Sequence, residues 1–193
     1  MGQIFFTSDT HFMHTNILKY CPGRKWASVE EMTEGLVTNW NARVTADDVV
    51  YHLGDFAMGG KQNVALRSRL NGKIILIKGN HDYKTGKTSP DSFLKDAGFA
   101  EVHNNLLLEL DGLKLYLAHL PAHVIDPYED RAAYEKFPAE LLQPPPIGYD
   151  YFICGHVHDK WARKGNTINA GMDVSDYHPL LLSELLKRDT CLV

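Results

Sequence analysis

Histidine, aspartate and asparagine side chains recur in this sequence just after runs of aliphatic and aromatic residues. The chain of 193 residues contains 10 histidines, several of them beside Asp, Asn or Gly at the ends of predicted strands. Asp9 and His11 are two residues apart, and on an extended segment such residues point to the same side. Imidazole and carboxylate together favour first-row divalent ions, which predicts a metal site. The candidate ligand-type residues are Asp9, His11, Asp55, Asn80, His81, His119, His156 and His158.

Eight such groups exceed the needs of one four-coordinate zinc site. They suit two divalent ions that share a bridging carboxylate, chosen from Mn, Fe, Zn, Ni or Co, with Mn favoured. Two metals about 3.5–4 Å apart stabilise the attacking and leaving oxygens of a displacement at phosphorus. The sequence has neither the thiol pattern of zinc fingers nor a glycine-rich phosphate loop. The predicted chemistry is therefore two-metal displacement at phosphorus.

The clearest predicted element is a strand over residues 74–77, an unbroken aliphatic run typical of burial on both faces. Residues 79–82, Gly-Asn-His-Asp, follow at once. In open α/β sheets ligands bind at this carboxyl-terminal rim. The other elements predicted in the first half are strands over 3–8 and 47–53 and helices over 17–20, 28–44 and 61–70. The order β-α-β-α-β is that of a layered α/β domain.

The second half is predicted to contain mainly strands. They cover residues 99–103, 106–110, 113–118, 149–154 and 167–170, with short helices over 91–97 and 179–186. Asp111-Gly112 predicts a hairpin turn. Residues 124–148 contain five prolines and are predicted to be irregular, like the long loops that often border a site. We expect one domain over residues 1–193.

The composition is near the average for a soluble globular protein, with 44% hydrophobic and 23% charged residues. A net charge of −4 gives no electrostatic footprint for nucleic acid, so that partner is possible but not favoured. No apolar run is long enough to span a bilayer, and no signal peptide is visible. Cys21, Cys154 and Cys191 are odd in number and far apart, which favours free thiols. We expect a cytoplasmic monomer or homodimer with no membrane partner.

Five short sequence blocks together resemble the calcineurin-like metallophosphoesterase superfamily. In order, they are Asp9-x-His11, Gly54-Asp55, Gly79-Asn80-His81-Asp82, His119 and Gly155-His156-x-His158. Each block alone is weak, whereas the ordered set is highly specific. The nearest similarity is to small, single-domain bacterial and phage-type phosphoesterases, whose first block also continues into a His and Asn-Ile. The resemblance implies an α/β fold, a four-layer α/β/β/α sandwich with mixed sheets.

The resemblance also implies roles for these residues. Asp55 would bridge the two metals, and a metal-bridging hydroxide would attack phosphorus. His81 would lie just outside the metals and act on the leaving-group oxygen or on the phosphoryl oxygens. Asp82 would either orient His81 or support the turn. The remaining implied ligands are Asp9, His11 and His158 for one metal, and Asn80, His119 and His156 for the other.

A few residues have less defined roles. His14 could reach the substrate phosphate or support a neighbouring ligand, and His123 is a second candidate for substrate binding. Asp173 could hydrogen-bond a liganding histidine. His52, inside a predicted strand, is expected to be a paired interior histidine.

The favoured function is hydrolysis of small phosphate esters. Diesters rank ahead of monoesters because His81 suits a poor alkoxide leaving group. Residues 56–60 lack the Asp and Arg of the family's protein Ser/Thr phosphatases, which argues against phosphoprotein substrates. A second hypothesis is a non-catalytic interaction module on the same fold, although every ligand position is retained.

A third hypothesis is a nuclease that processes nucleic-acid ends, which a basic strip beside the site would favour. The candidate residues of such a strip are Arg24, Lys25, Lys84 and Lys87. Arg24 and Lys25 are otherwise predicted to lie in a solvated loop.

Overall fold

A computed structural model describes residues 2–58, 60–82, 90–121 and 137–188. Within them, ten strands form two five-stranded sheets that each contain parallel and antiparallel pairs. The strands are β1 (Ile4–Thr7), β2 (Val49–His52), β3 (Lys73–Ile77), β4 (Glu101–His103), β5 (Asn105–Leu110), β6 (Leu113–Ala118), β7 (Tyr151–Cys154), β8 (Arg163–Lys164), β9 (Thr167–Asn169) and β10 (Leu180–Leu181). The strands predicted from the sequence are confirmed, with ends that shift by at most two residues.

Among the described residues, the helices are short apart from one. They are α1 (Ile17–Tyr20), α2 (Val29–Arg43), α3 (Lys61–Val64), α4 (Pro90–Asp96) and α5 (Leu182–Leu186). Turns of 3₁₀-helix cover Ala65–Arg69, Ala139–Leu141 and Met172–Val174. None of the helices in the described part of the chain is long and apolar enough to cross a membrane.

The first sheet has the order β10-β1-β2-β3-β4, and the second has the order β5-β6-β7-β9-β8. Strands β1 to β4 are parallel, and only β10 runs antiparallel to its neighbour. In the second sheet β6, β7 and β9 are parallel, while the β5–β6 hairpin is antiparallel, as predicted. The parallel strands bring their carboxyl ends, and the polar loops that follow, to one edge of each sheet.

Burial explains why the first sheet is a central layer. Its strands alternate between two hydrophobic clusters, so that Ile74 packs with α2 and Ile75 packs toward the second sheet. The cluster between the sheets also contains Leu117, Ile153 and Ile168 from the second sheet. The run 74–77 is therefore buried on both faces, as its composition predicts. Two mixed sheets packed face to face confirm the predicted α/β fold class.

Helix α2 covers the outer face of the first sheet. Ser28 is its N-cap and accepts a hydrogen bond from the Glu31 N–H at 3.1 Å. The Glu31 side chain accepts from the Ala27 N–H at 3.0 Å. In a standard capping box it would accept from the N–H of the N-cap, Ser28, so the predicted motif is present with its second bond displaced by one residue. The predicted core stripe of Met32, Leu36, Val37 and Trp40 is buried.

Two helix predictions are corrected. The helix predicted over 61–70 is α-helical only through Val64 and continues as 3₁₀-helix. The helix predicted over 179–186 begins only at Leu182, because Leu180 and Leu181 pair with Phe6 and Phe5 of β1. Two residues at a sheet edge are too short a segment for a periodic signal.

His52 is confirmed as a buried, paired histidine at the end of β2. Its Nδ1 accepts from the Gly54 N–H at 3.3 Å. Its Nε2 lies 3.0 Å from the Thr10 hydroxyl, which itself donates to the Phe56 carbonyl at 2.8 Å, so Nε2 carries the proton. If Nδ1 carried the proton instead, its N–H would face the Gly54 N–H, and two donors would meet with no acceptor between them. Burial lowers the pKa of His52 to about 3.

This arrangement predicts a loss of stability in mild acid. Between the unfolded pKa of about 6.5 and the folded value, only unfolded His52 binds a proton, so stability falls as the pH falls. His52 is expected to lower the free energy of unfolding by about 2 kcal/mol when the pH falls from 7 to 5. In urea unfolding, His52→Gln should reduce the difference in unfolding free energy between these pH values by about that amount. An equal pH dependence in both proteins would contradict this assignment.

Candidate metal centre

The loops that follow five strands, β1, β2, β3, β6 and β7, meet at one place between the two sheets. Backbone hydrogen bonds join them: the Asp9 N–H donates to the Gly54 carbonyl at 3.0 Å, and the Gly155 N–H donates to the His119 carbonyl at 3.0 Å. The His156 N–H donates to Asp9 Oδ2 at 2.9 Å, which connects a loop of the first sheet to one of the second. The predicted ligand-type residues are thus brought together by both sheets.

The backbone of these loops is unusual. A positive φ is uncommon outside glycine and often marks a functional site. Within the described residues, nine non-glycine residues have one, and five of them are predicted metal ligands. These five are Asp9 (56°), His11 (48°), Asp55 (56°), His156 (71°) and His158 (47°). The loops hold strained conformations where the polar side chains converge.

Within the described residues, four groups of three side chains have the spacing of metal ligands. In each group, one ligand atom from every residue lies within 4.8 Å of the others. The first group is Asp9, His11 and His158, and the second is Asp55, His119 and His156. Asn80 adjoins the second group, since its Oδ1 lies 3.2 Å from His119 Nε2. A third group is His11, Asp55 and His81, and a fourth is Cys21, His158 and Asp173, which shares His158 with the first.

Asp55 lies between the two main groups. Its Oδ2 is 3.5 Å from His11 Nε2 and 3.5 Å from His119 Nε2. Its side chain is 2% exposed, and its other oxygen accepts the His81 backbone N–H at 2.9 Å. His81 Nε2 lies 3.7 Å from Asp55 Oδ2, and the His81 side chain is 25% exposed. The cluster therefore opens to solvent at His81.

The donor atoms fit divalent cations. Asp9 Oδ1 and His11 Nε2 are buried and have no hydrogen-bond partner, which is costly unless another group satisfies them. His119 Nδ1 donates to the Leu53 carbonyl at 2.6 Å, which leaves Nε2 as its lone-pair nitrogen. Carboxylate, imidazole and amide oxygen suit first-row divalent ions.

Charges in the cluster are strongly coupled. Burial lowers the pKa of His156 to about 3. Burial alone would lower the pKa of His119, but the Asp55 carboxylate outweighs it and raises the value to about 9. Burial also opposes ionisation of Asp55, yet His119 and His11 hold the pKa of this carboxyl well below its usual range. A cation at this position would replace the proton on His119.

Asp82 supports the loops around Asp55. It is 2% exposed, and its carboxylate accepts backbone N–H groups from Asp55 at 2.8 Å, Phe56 at 3.1 Å and Gly79 at 2.7 Å. These contacts favour support of the turn, one of the two roles considered for Asp82.

His14 lies beside the first ligand group. Its Nδ1 is 3.1 Å from His11 Nδ1, so one ring donates to the other. If His11 Nε2 is the ligand atom, its Nδ1 carries the proton and donates to His14. His14 thus has the contact expected of a residue that supports a ligand. Its contact with substrate stays a prediction. His123 falls outside the described residues.

Arg24 corrects the prediction of a solvated loop. The residue is 2% exposed, and its guanidinium is bound to Asp173 at 2.6 and 2.8 Å. It cannot belong to an exposed basic strip, whereas Lys25 is exposed. Lys84 and Lys87 lie outside the described residues. Asp173 also accepts from His158 Nδ1 at 2.8 Å, the contact suggested for it from the sequence. Arg24 has no local sequence signal that would have revealed this role.

Close packing at Gly155 leads to a prediction. A Cβ atom added there would lie 1.9 Å from Ser8 Oγ and 2.7 Å from Asp9 Oδ2. Ser8 Oγ is buried and donates to the Leu53 carbonyl at 2.9 Å, so it cannot move freely. Gly155→Ala should weaken Mn²⁺ binding and lower the unfolding free energy by about 1–3 kcal/mol.

The matched control for this variant is Gly23→Ala. Its added Cβ would make only an ordinary contact, 3.5 Å from the Tyr177 hydroxyl. We expect wild-type metal affinity and stability for the control, measured by calorimetric titration and urea unfolding. Wild-type values for Gly155→Ala in both measurements would contradict the packing argument.

Both the sequence and the structure of this chain are similar to those of known proteins. Residues 3–172 match a family model described as the calcineurin-like phosphoesterase superfamily domain. The uncharacterized protein MJ1445 of Methanocaldococcus jannaschii is 39% identical over 164 residues, which cover 79% of this chain and 90% of that protein. The Gene 66 protein of Mycobacterium phage D29 is 28% identical over 197 residues, covering 94% of this chain and 92% of that protein. The crystal structure of AQ665 from Aquifex aeolicus superposes with a TM-score of 0.68 at 28% identity, covering 97% of this chain and 99% of that chain.

Proposed function

The chain belongs to the calcineurin-like phosphoesterase superfamily, and we propose that it is a dinuclear-metal phosphoesterase that hydrolyses small phosphate esters. The observation that carries the proposal is the position of Asp55. Its carboxylate borders His11 of one ligand group and belongs to the other group with His119 and His156. A single carboxylate between two sets of ligand atoms suits a pair of metal ions that lie close together.

In this proposal the ligands are those assigned from the sequence. Asp9, His11 and His158 would hold one ion, Asn80, His119 and His156 would hold the other, and Asp55 would be shared between them. When bound, two divalent ions supply a water-derived nucleophile near neutral pH and stabilise charge on the phosphoryl oxygens. Mn²⁺ is the ion that we would test first. The chain's own contribution is to fix ligand orientation and tautomer.

His81 is proposed as the group that acts on the leaving oxygen. Its backbone N–H donates to Asp55 Oδ1 at 2.9 Å, and its ring lies on the solvent-facing side of the cluster. A protonated ring at this position can give its proton to a departing alkoxide. Phosphodiesters with alkoxide leaving groups benefit most from such a proton, so we favour small diesters over monoesters.

The alternatives receive less support. Arg24, one of the four residues of the suggested basic strip, is buried and paired with Asp173, which weakens the case for a nucleic-acid end-processing nuclease. Asp9 Oδ1 and His11 Nε2 are buried without a hydrogen-bond partner, which argues against a non-catalytic module. A protein that only binds partners has no need of costly buried polar atoms. A cytoplasmic location is part of the proposal, supported by the free, buried thiols of Cys21 and Cys154.

The proposal is tested by hydrolysis assays on protein of known metal content. Bis(p-nitrophenyl) phosphate and p-nitrophenyl phosphate would be assayed with Mn²⁺, after chelation and after Mn²⁺ is restored. We expect metal-dependent cleavage that favours the diester. Cleavage of the monoester alone would overturn the diester preference. Protein that stays inactive on both esters after Mn²⁺ is restored would contradict the enzyme assignment.

A further inference from the structure

We propose that Arg24 and Asp173 form a positioning pair that sets the affinity of one metal far more than that of the other. The affected metal is the one assigned to Asp9, His11 and His158, so the inference rests on the proposed function. Neither Arg24 nor Asp173 is a proposed ligand. Their role would be to hold ligands from both sheets in place.

The Arg24 guanidinium is fully engaged. Its side chain is 0% exposed. Nε and one terminal nitrogen donate to the two Asp173 oxygens at 2.6 and 2.8 Å, which forms a bidentate pair. The terminal nitrogens also donate to two backbone carbonyls, Asp9 at 2.6 Å and Thr10 at 3.1 Å. An isolated buried cation is costly, and these four contacts make its burial tolerable.

The two carbonyls belong to the turn that presents Asp9 and His11. Both residues have a positive φ, a conformation that persists only when its surroundings enforce it. By donating to these two carbonyls, Arg24 holds the turn in place and so fixes the direction of the Asp9 and His11 side chains. Loss of these hydrogen bonds would allow the turn to move away from the cluster.

Asp173 extends the same support to the second sheet. Its Oδ2 accepts from Arg24 and also from His158 Nδ1 at 2.8 Å. A liganding histidine whose other nitrogen donates to a carboxylate has a fixed ring orientation and tautomer. The Arg24–Asp173 pair therefore connects all three ligands of the first group.

The second ligand group is supported by different contacts. His119 donates to the Leu53 carbonyl at 2.6 Å, and the turn at Asp55 is held by the Asp82 carboxylate. None of these described contacts involves Arg24 or Asp173. The two groups do meet where the His156 N–H donates to Asp9 Oδ2 at 2.9 Å. A defect in the pair should therefore weaken the first metal more than the second.

Arg24→Lys is the direct test, because a single ammonium cannot reproduce the bidentate pair together with both carbonyl contacts. The chain offers a matched control in Arg67, a half-buried arginine that also donates to two backbone carbonyls, Leu70 at 2.9 Å and Gly72 at 2.8 Å. These carbonyls precede β3, away from the cluster. Arg67→Lys makes the same chemical change outside the proposed site.

The readout is stepwise Mn²⁺ binding by calorimetry and electron paramagnetic resonance. In wild type and Arg67→Lys we expect two ions and the spectrum of a spin-coupled pair. In Arg24→Lys we expect the affinity for one ion to fall about 10–100-fold and that for the other to change far less. At intermediate Mn²⁺ the variant should then show the signal of an isolated ion.

Asp173→Asn is a second variant, chosen because it keeps the side-chain shape, and the same selective loss is expected. Equal weakening of both ions would indicate a general structural role and overturn the inference. Wild-type binding of both ions in both variants would overturn it as well. A wild-type chain that binds fewer than two ions would instead overturn the proposed function and this inference together.

Discussion

Replacing Asp55 by asparagine is expected to remove the paired metals and nearly all activity. Asp55 Oδ2 lies 3.5 Å from both His11 Nε2 and His119 Nε2, so the neutral amide would replace the one charge shared by both ligand groups. A metal ion contributes several kcal/mol of transition-state stabilisation. The expected loss of kcat/KM is therefore about 10³-fold or more, since each 1.36 kcal/mol is tenfold.

The measurement combines metal content after dialysis with hydrolysis of bis(p-nitrophenyl) phosphate. The control is Asp91→Asn, which neutralises a half-exposed carboxylate on α4 that pairs with Lys78 at 2.7 Å and is no predicted ligand. It should keep both metals and full activity. An Asp55→Asn protein that binds two ions and hydrolyses the diester normally would refute the bridging role.

Replacing His81 by alanine should separate metal binding from catalysis. His81 is not needed to complete either proposed ligand set, so the variant is expected to retain both ions. Loss of one general acid costs about 10²–10⁴-fold in rate. The deficit should be largest for a 2′,3′-cyclic nucleotide, whose leaving group is an alkoxide, and smaller for a p-nitrophenyl ester, whose leaving group needs no proton.

The control for this variant is His103→Ala, on β4, where the histidine lies 3.1 Å from Glu101 and is no predicted ligand. Its metal content and rates should match the wild type. Full activity of metal-loaded His81→Ala on the alkoxide-leaving substrate would end the assignment of His81 as the acid. Loss of one metal would instead make His81 a ligand, an arrangement for which His11 and Asp55 lie close enough.

The sequence predicted the parts of the fold that rest on long, consistent patterns. The run 74–77 had to be a doubly buried strand, and the stripe on α2 had to face a core, because each pattern extends over several residues. Parallel strands then bring their following loops to one edge, so the convergence of Asp9, Asp55 and Asn80 could be anticipated. The two-residue strand β8 and the pairing of β10 carry too little periodicity to predict.

The support around the cluster was largely beyond prediction. Arg24 lies in a loop whose composition suggests solvent exposure, and its partner Asp173 is 149 residues away. The three amides that converge on Asp82 belong to two different loops and appear only in three dimensions. Local sequence indicates which side chains can act on a ligand, whereas the contacts that orient them depend on tertiary packing.

The most direct test of the two-metal assignment is an anomalous difference map from crystals grown with Mn²⁺. We predict two peaks about 3.5–4 Å apart, on either side of the Asp55 carboxylate. One peak should be surrounded by Asp9, His11 and His158, and the other by Asn80, His119 and His156. A single peak, or peaks that do not share Asp55, would contradict the account.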